Sequence, residues 1–495
     1  MKKTKRLLSL VICLAIIFVF AGCGNGQTAS QPDISGEEWE TTVIEGDATV
    51  TGGNDKVVSG SGAVQGDSDV TAALAKNKDF LNSLKGLEIN IYTQQQEKPT
   101  RGTTTGDRYF AILSKVAKQY DVTINYLEKS PGDLQQSILA GKPAANVIGV
   151  QDYNFISWLN AGVAADLTGA MKKTGISFKE SWYNPDATKI GNLNNKQYAF
   201  NADTYEPYML MYNKRLLQEN GLSDPIGLYN SDEWSFDRLD EYLSKLTKKS
   251  SDGNVLIYGM SCTGTPMLGS MLIGMNGTDI ITSKDGKLES NINDSKVKRA
   301  LSYLQEWYYT DRRVTSTVNW QDAFNYFSSG KSAMVLGSKY VFDNMNENNM
   351  TDAVGVVPFP YGPDASASTP YSYVQVFMNI IPKSEEKNAD KILFIMNEVY
   401  KQQYAVRNDD FADSYRTLIR DNDSYNIFKD YSLGTKQMKL SNFNISGLVY
   451  EEKDILMNLC LKISTGTAVE TTVQTYSSSL ETNLDEVWGK WTITG

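Results

Sequence analysis

Acid–base chemistry near neutral pH falls to carboxylates in this chain, because its 495 residues include no histidine. A Ser-His-Asp or Cys-His nucleophile cannot be assembled, and neither can an HExxH zinc helix or a Cys₂His₂ site. Catalysis by two carboxylates stays open. No GxxxxGK[ST] stretch is present, so the chain does not hydrolyse ATP through a P-loop. Asp421-Asn422-Asp423 opens like a calcium loop but lacks the glycine at position six and the glutamate at twelve, which leaves a solvated loop. Neither a metal nor a cofactor is expected. The missing histidine also removes the usual titrating switch, so ligand affinity should be nearly flat from about pH 6 to 8.

Four cysteines are present, at 13, 23, 262 and 460. The first two belong to an N-terminal address. Lys2, Lys3, Lys5 and Arg6 form a positive segment, and Leu7 to Phe20 is an apolar run of 14 residues. That run is shorter than the ~20 residues of an ordinary membrane span and fits a secretory signal. It ends in Phe20-Ala21-Gly22-Cys23, which resembles the lipobox of bacterial lipoproteins. The resemblance implies removal of residues 1–22 and a diacylglyceryl group on the Cys23 sulfur, with two acyl chains giving stable attachment to a membrane. Cys262 and Cys460 do not make a disulfide framework in a chain this long; whether they pair is open. The net charge of −10 argues against a nucleic-acid partner.

Residues 23–68 read as a lipid-anchored flexible linker, acidic and rich in glycine. A flexible chain of that length spans roughly 35–40 Å. The globular part opens with strand-helix-strand grammar. Leu87, Ile89 and Ile91 alternate, as do Val122, Ile124 and Tyr126. Between them Phe110, Leu113, Val116, Ala117 and Tyr120 mark one face of a helix that Asp107 is placed to cap. Asn146 to Val150 is a short apolar strand, as expected where both faces of a parallel sheet are covered. Further on, Ser235 and Asp294 stand before two more amphipathic patterns, and the spacing turns helical from Asn388 onward. In open α/β sheets, ligands sit beyond the carboxyl ends of strands. Gln95, Asp152 and the run Asn201 to Tyr205 fall at such positions.

Several stretches resemble the family 1 extracellular solute-binding proteins of ABC importers, the maltose-binding-protein-like type. They are Tyr212-Asn213-Lys214-Arg215-Leu216 followed by Gly221-Leu222 and Pro225, Trp234-Ser235-Phe236-Asp237-Arg238-Leu239, Ala323-Phe324 through Gly330-Lys331-Ser332-Ala333-Met334, Gly355 to Pro360, and Ile381-Pro382-Lys383-Ser384. Their order and spacing agree over most of Leu87 to Trp491. The resemblance implies a two-lobed α/β fold of the type II periplasmic-binding-protein kind. Each lobe would be a mostly parallel sheet flanked by helices, with the ligand cleft between them. One lobe would comprise 69–200 plus 376–412 and the other 205–370 plus 415–495, with crossings near Asn201–Thr204 and Tyr371–Gln375.

The same resemblance implies a monomeric receptor on the outer face of a Gram-positive cytoplasmic membrane. It would capture a sugar or oligosaccharide and deliver it to ABC permease subunits and their ATPases. A sugar presents apolar C–H faces and a rim of hydroxyls, so its site needs aromatic faces and polar edges. Asp152 matches a family position that accepts sugar hydroxyl bonds, with a helix N-cap as the alternative. Tyr340 follows Gly337-Ser338-Lys339 near the position of a family stacking residue. Asp203 and Tyr205 at the first crossing, Tyr371 and Tyr373 at the second, Gln95 and Trp320 complete the candidate set; the alternatives are satisfying hinge amides for Asp203, solvent exposure for Gln95 and plain aromatic packing for the others. Trp307, on a helical stripe, reads as core. Two other readings stand beside the receptor: a carbohydrate-active lipoprotein using two carboxylates, and an adhesion or chemosensory lipoprotein with the same fold.

Overall fold

Ile89 and Ile91, two residues apart, are both buried on the strand Glu88–Thr93, which lies in the middle of a four-stranded sheet. Thr123–Leu127 and Val147–Gln151 flank it in parallel, with Ile124 opposite Ile89 and Val147 opposite Ile91. Every residue of Val147–Gln151 is buried. Phe377–Ile380 adds the fourth strand, antiparallel, placing Met378 opposite Val150. The computed structural model describes residues 68–93, 100–127, 134, 136–138, 140, 145–202, 205–316, 320–347, 350–368, 374–436, 439, 442–449 and 454–494.

The helix between the first two strands is Thr104–Tyr120, and its buried face carries Phe110, Leu113, Val116, Ala117 and Tyr120. Its cap is Thr103 rather than Asp107. Thr103 has extended backbone, and its Oγ1 accepts the Gly106 N–H at 3.1 Å. Asp107 lies inside the first turn and accepts the Gly102 N–H at 2.9 Å. Ser235 and Asp294 do cap their helices, Phe236–Leu246 and Ser295–Gln305.

The second sheet is mixed. Val255–Cys262 pairs in parallel with Val314–Ser316 and with Ser332–Gly337, whereas Met209–Asn213 runs antiparallel to both Ser332–Gly337 and Val354–Val357. Helix Thr265–Met275 packs against Val255–Cys262, Ser295–Gln305 and Ile455–Ser464 pack on that helix, and Val469–Trp488 packs on both of these. Trp307 is fully buried there and donates its indole N–H to Asp240 at 2.8 Å. Cys262 and Cys460 are buried free thiols, and burial pushes them up to about 11 and about 12.

Three segments connect the two sheets. Glu206–Pro207 and Val374–Gln375 lie side by side as a short antiparallel pair. The third is a single helix of 27 residues, Ala389–Tyr415. Its first half buries Ile392, Leu393, Phe394, Ile395 and Val399 in the core under the first sheet, while Phe411 joins a separate core with Val356 and Phe428.

Candidate functional site

A cavity of about 650 Å³ opens between the two sheets at these crossings. That size is typical of a small-molecule site. Tyr109, Tyr126, Trp182, Phe377 and Tyr400 wall it from the first lobe; Lys339, Tyr340, Phe428 and Leu433 wall it from the second. Asn201, Tyr205 and Glu206 enter from the crossing strand, and Gln403, Tyr404 and Arg407 from the long helix.

Several of these aromatics are held by specific partners. Asn397 accepts from both the Trp182 indole at 2.9 Å and the Tyr183 hydroxyl at 2.8 Å, which fixes Trp182 against the first lobe. Asn379 donates to the Tyr400 hydroxyl at 2.6 Å and to Asn201 Oδ1 at 2.9 Å, and Asn201 donates to the Phe377 carbonyl at 2.7 Å. This amide chain ties two crossings together under the cavity. Tyr109 and Tyr126 share a short hydroxyl–hydroxyl contact. Burial raises the phenols of Tyr109, Tyr126 and Tyr400, so all three are neutral at physiological pH. Gly434, at φ 66°, lies directly against Tyr205: a Cβ there would fall 2.6 Å from the Tyr205 ring. The Lys339 ammonium lies 5.1 Å over the Tyr340 ring. Arg108 binds Asp410 and also Asp413, the latter at 2.7 Å. Flat apolar faces with hydroxyls and amides between them suit a ligand that is apolar on its faces and polar at its rim.

Of the residues singled out from sequence, Tyr205 and Tyr340 come together on this cavity from opposite sides. Asp152 does not line it. It is 1% exposed at the start of helix Asp152–Asn160, and its carboxylate accepts the N–H groups of Tyr153 at 2.9 Å and Val376 at 3.3 Å. Burial pushes it up to about 7. Its structural task is therefore to join that helix to the second crossing strand. Trp320 begins helix Trp320–Ser328, and its side chain lies outside the described residues. Gln95, Asp203, Tyr371, Tyr373 and Cys23 also lie outside them. Sequence reasoning missed Tyr109, Trp182, Tyr400, Gln403, Tyr404 and Arg407. The last four stand at i, i+3, i+4 and i+7, a helical signal, but the same spacing upstream marks core.

The architecture has known counterparts. The family model described as bacterial extracellular solute-binding protein matches residues 104–391, more than half of the chain. The GacH receptor of Streptomyces glaucescens, solved unliganded and with acarbose, is 15% identical with a TM-score of 0.59, covering 81% of this chain and 99% of that one. An ABC substrate-binding protein of Listeria monocytogenes in complex with cycloalternan is 17% identical with a TM-score of 0.59, covering 82% and 100%. UgpB of Mycobacterium tuberculosis, in complex with glycerophosphocholine, is 16% identical with a TM-score of 0.59, covering 81% and 98%. A comparison with curated proteins finds no match. At these identities the structural likeness shows the fold, and the ligand must be argued from the cavity itself.

Proposed function

Because the chain belongs to the bacterial extracellular solute-binding protein family, we propose that it captures a sugar or oligosaccharide between its two lobes and releases it unchanged to an ABC importer. The observation that carries this reading is the cavity wall: tyrosines and a tryptophan from both lobes, interleaved with Asn201, Gln403 and threonine hydroxyls. Sugars match such a wall because each ring offers C–H faces to stack and hydroxyls to bond. Contacts to both lobes make closure depend on the ligand, which is how occupancy becomes a signal to a permease. The lobes are taken as 69–200 with 376–412 and 205–370 with 415–495. Tyr205 and Tyr340 are the proposed ligand contacts among the described residues, with Gln95, Asp203, Trp320, Tyr371 and Tyr373 proposed around them.

The lipobox-like Phe20-Ala21-Gly22-Cys23 supports a receptor tethered to the outer face of the cytoplasmic membrane through Cys23. Among the described residues no helix is long and apolar enough to cross a membrane. The proposed partners are two permease subunits and their ATPases. A thermal-shift screen of the mature chain across neutral saccharides, amino acids and peptides tests the ligand class. A saccharide at 100 times its dissociation constant should stabilise the folded protein by about 2.7 kcal/mol. A shift with amino acids or peptides, and with no sugar, would refute the saccharide assignment.

A further inference from the structure

The long helix Ala389–Tyr415 changes character along its length. Through Tyr400 its buried residues belong to the first lobe's core, and from Phe411 it belongs to another core. Between them, Gln403, Tyr404 and Arg407 line the cavity at helical spacing. This stretch lies beyond residue 391, where the family match ends.

Two side chains on it are arranged for a ligand. The Arg407 guanidinium carbon lies 3.4 Å from the centre of the Tyr404 ring, and its Nη1 donates to the Tyr404 carbonyl at 2.9 Å. Stacking and the hydrogen bond hold the planar fork in one orientation, so less side-chain entropy is lost when it binds. One turn earlier, Gln403 Oε1 is buried and has no hydrogen-bond partner among the described residues. A buried acceptor in that state gains from a hydroxyl donor.

We propose that Arg407, seated on Tyr404, is the specificity-determining donor of this cavity and binds, with Gln403 as acceptor, two adjacent hydroxyls of the bound saccharide. The proposal rests on the saccharide reading above and sharpens it: a carboxylate would satisfy Arg407 but has no proton to give Gln403, so the pair matches vicinal hydroxyls, which both accept and donate, and gains nothing from an added carboxylate.

The experiment is calorimetric titration of the mature chain and its Arg407→Gln, Arg407→Lys and Gln403→Leu variants with maltotriose, mannotriose and trigalacturonate. The expected result is that the wild type binds a neutral trimer in preference to trigalacturonate. Arg407→Gln and Arg407→Lys should each weaken that binding about 10- to 100-fold, and Gln403→Leu about 10-fold, with unchanged thermal midpoints of the empty proteins. Arg407→Lys at wild-type affinity would overturn the fork, and preference for trigalacturonate would overturn the hydroxyl pair. Neutral binding that neither Arg407 nor Gln403 variants disturb would overturn the proposal while leaving the saccharide receptor intact. A wild type that binds none of the trimers would overturn both.

Discussion

Replacing Gly355 by alanine should destabilise the protein by about 3 kcal/mol or more, toward the upper end for overpacking a core. Gly355 is the direct cross-strand partner of Tyr212. The Tyr212 ring lies over it so closely that a Cβ would fall 2.0 Å from Cζ and 2.3 Å from Cε2. Side chains that collide at such distances normally rotate away. Tyr212 cannot, because it is fully buried and its hydroxyl bonds to Asp224. Asp224 is itself fixed, capping helix Pro225–Asn230 through the Ile226 N–H at 3.0 Å and pairing with Lys214 at 3.0 Å. The measurement is the midpoint of chemical denaturation for Gly355→Ala, Tyr212→Leu and the double variant. Because the two sites touch, the double variant should be more stable than the sum of the single losses by about 1–3 kcal/mol. Strict additivity would show that the ring does not enforce the glycine.

Asp152→Asn should stabilise the protein at pH 8 and change little at pH 5. The cause is desolvation: burial raises the Asp152 carboxyl from its ordinary range near 4 to about 7. A raised acid binds its proton more tightly in the folded than in the unfolded state. Its contribution to stability is therefore fully present below about pH 4 and is lost as pH rises through 7. A shift of this size corresponds to about 4 kcal/mol between those limits. Asparagine removes the charge but keeps one acceptor oxygen where the carboxylate serves Tyr153 on Oδ1 and Val376 on Oδ2; losing one bond costs about 1 kcal/mol, so the variant should gain about 1–3 kcal/mol on the wild type at pH 8. Denaturation midpoints of both proteins from pH 5 to 8 give the difference directly, free of other carboxylates such as Asp279, which burial raises to about 6. A difference that is constant with pH would sink this account. A carboxyl raised to about 7 thus falls inside the window where the lack of histidine suggests no change, but Asp152 does not line the cavity.

Much of the fold was legible because local signals and tertiary demands coincide. Ile89 and Ile91 alternate where the strand is buried, Ser235 and Asp294 precede apolar stripes that do become helices, and the helical spacing after Asn388 becomes the helix Ala389–Tyr415. Asp107 misled because an acidic residue favours the whole first helical turn, whereas the cap itself needs the extended backbone that Thr103 adopts. The site was legible only where it sits at crossings and strand ends, as with Tyr205 and Tyr340. Asp152 occupies a strand end too, but strand ends also serve to fasten helices, and residue type alone does not separate the two tasks. Tyr400, Tyr404 and Arg407 were hidden for a different reason. Periodicity names the residues that share a face of a helix, not whether that face meets a core or a cavity. The face of Ala389–Tyr415 meets both in turn.

Capture without chemistry is the central claim, and one measurement addresses it most directly. The chain from residue 23 onward is titrated calorimetrically with neutral oligosaccharides, and the sugar is then recovered from the complex and its length determined. The account predicts one saccharide bound per chain and recovery of the same saccharide intact. Shortened sugar in the recovered fraction, or binding that does not saturate at one per chain, would contradict it.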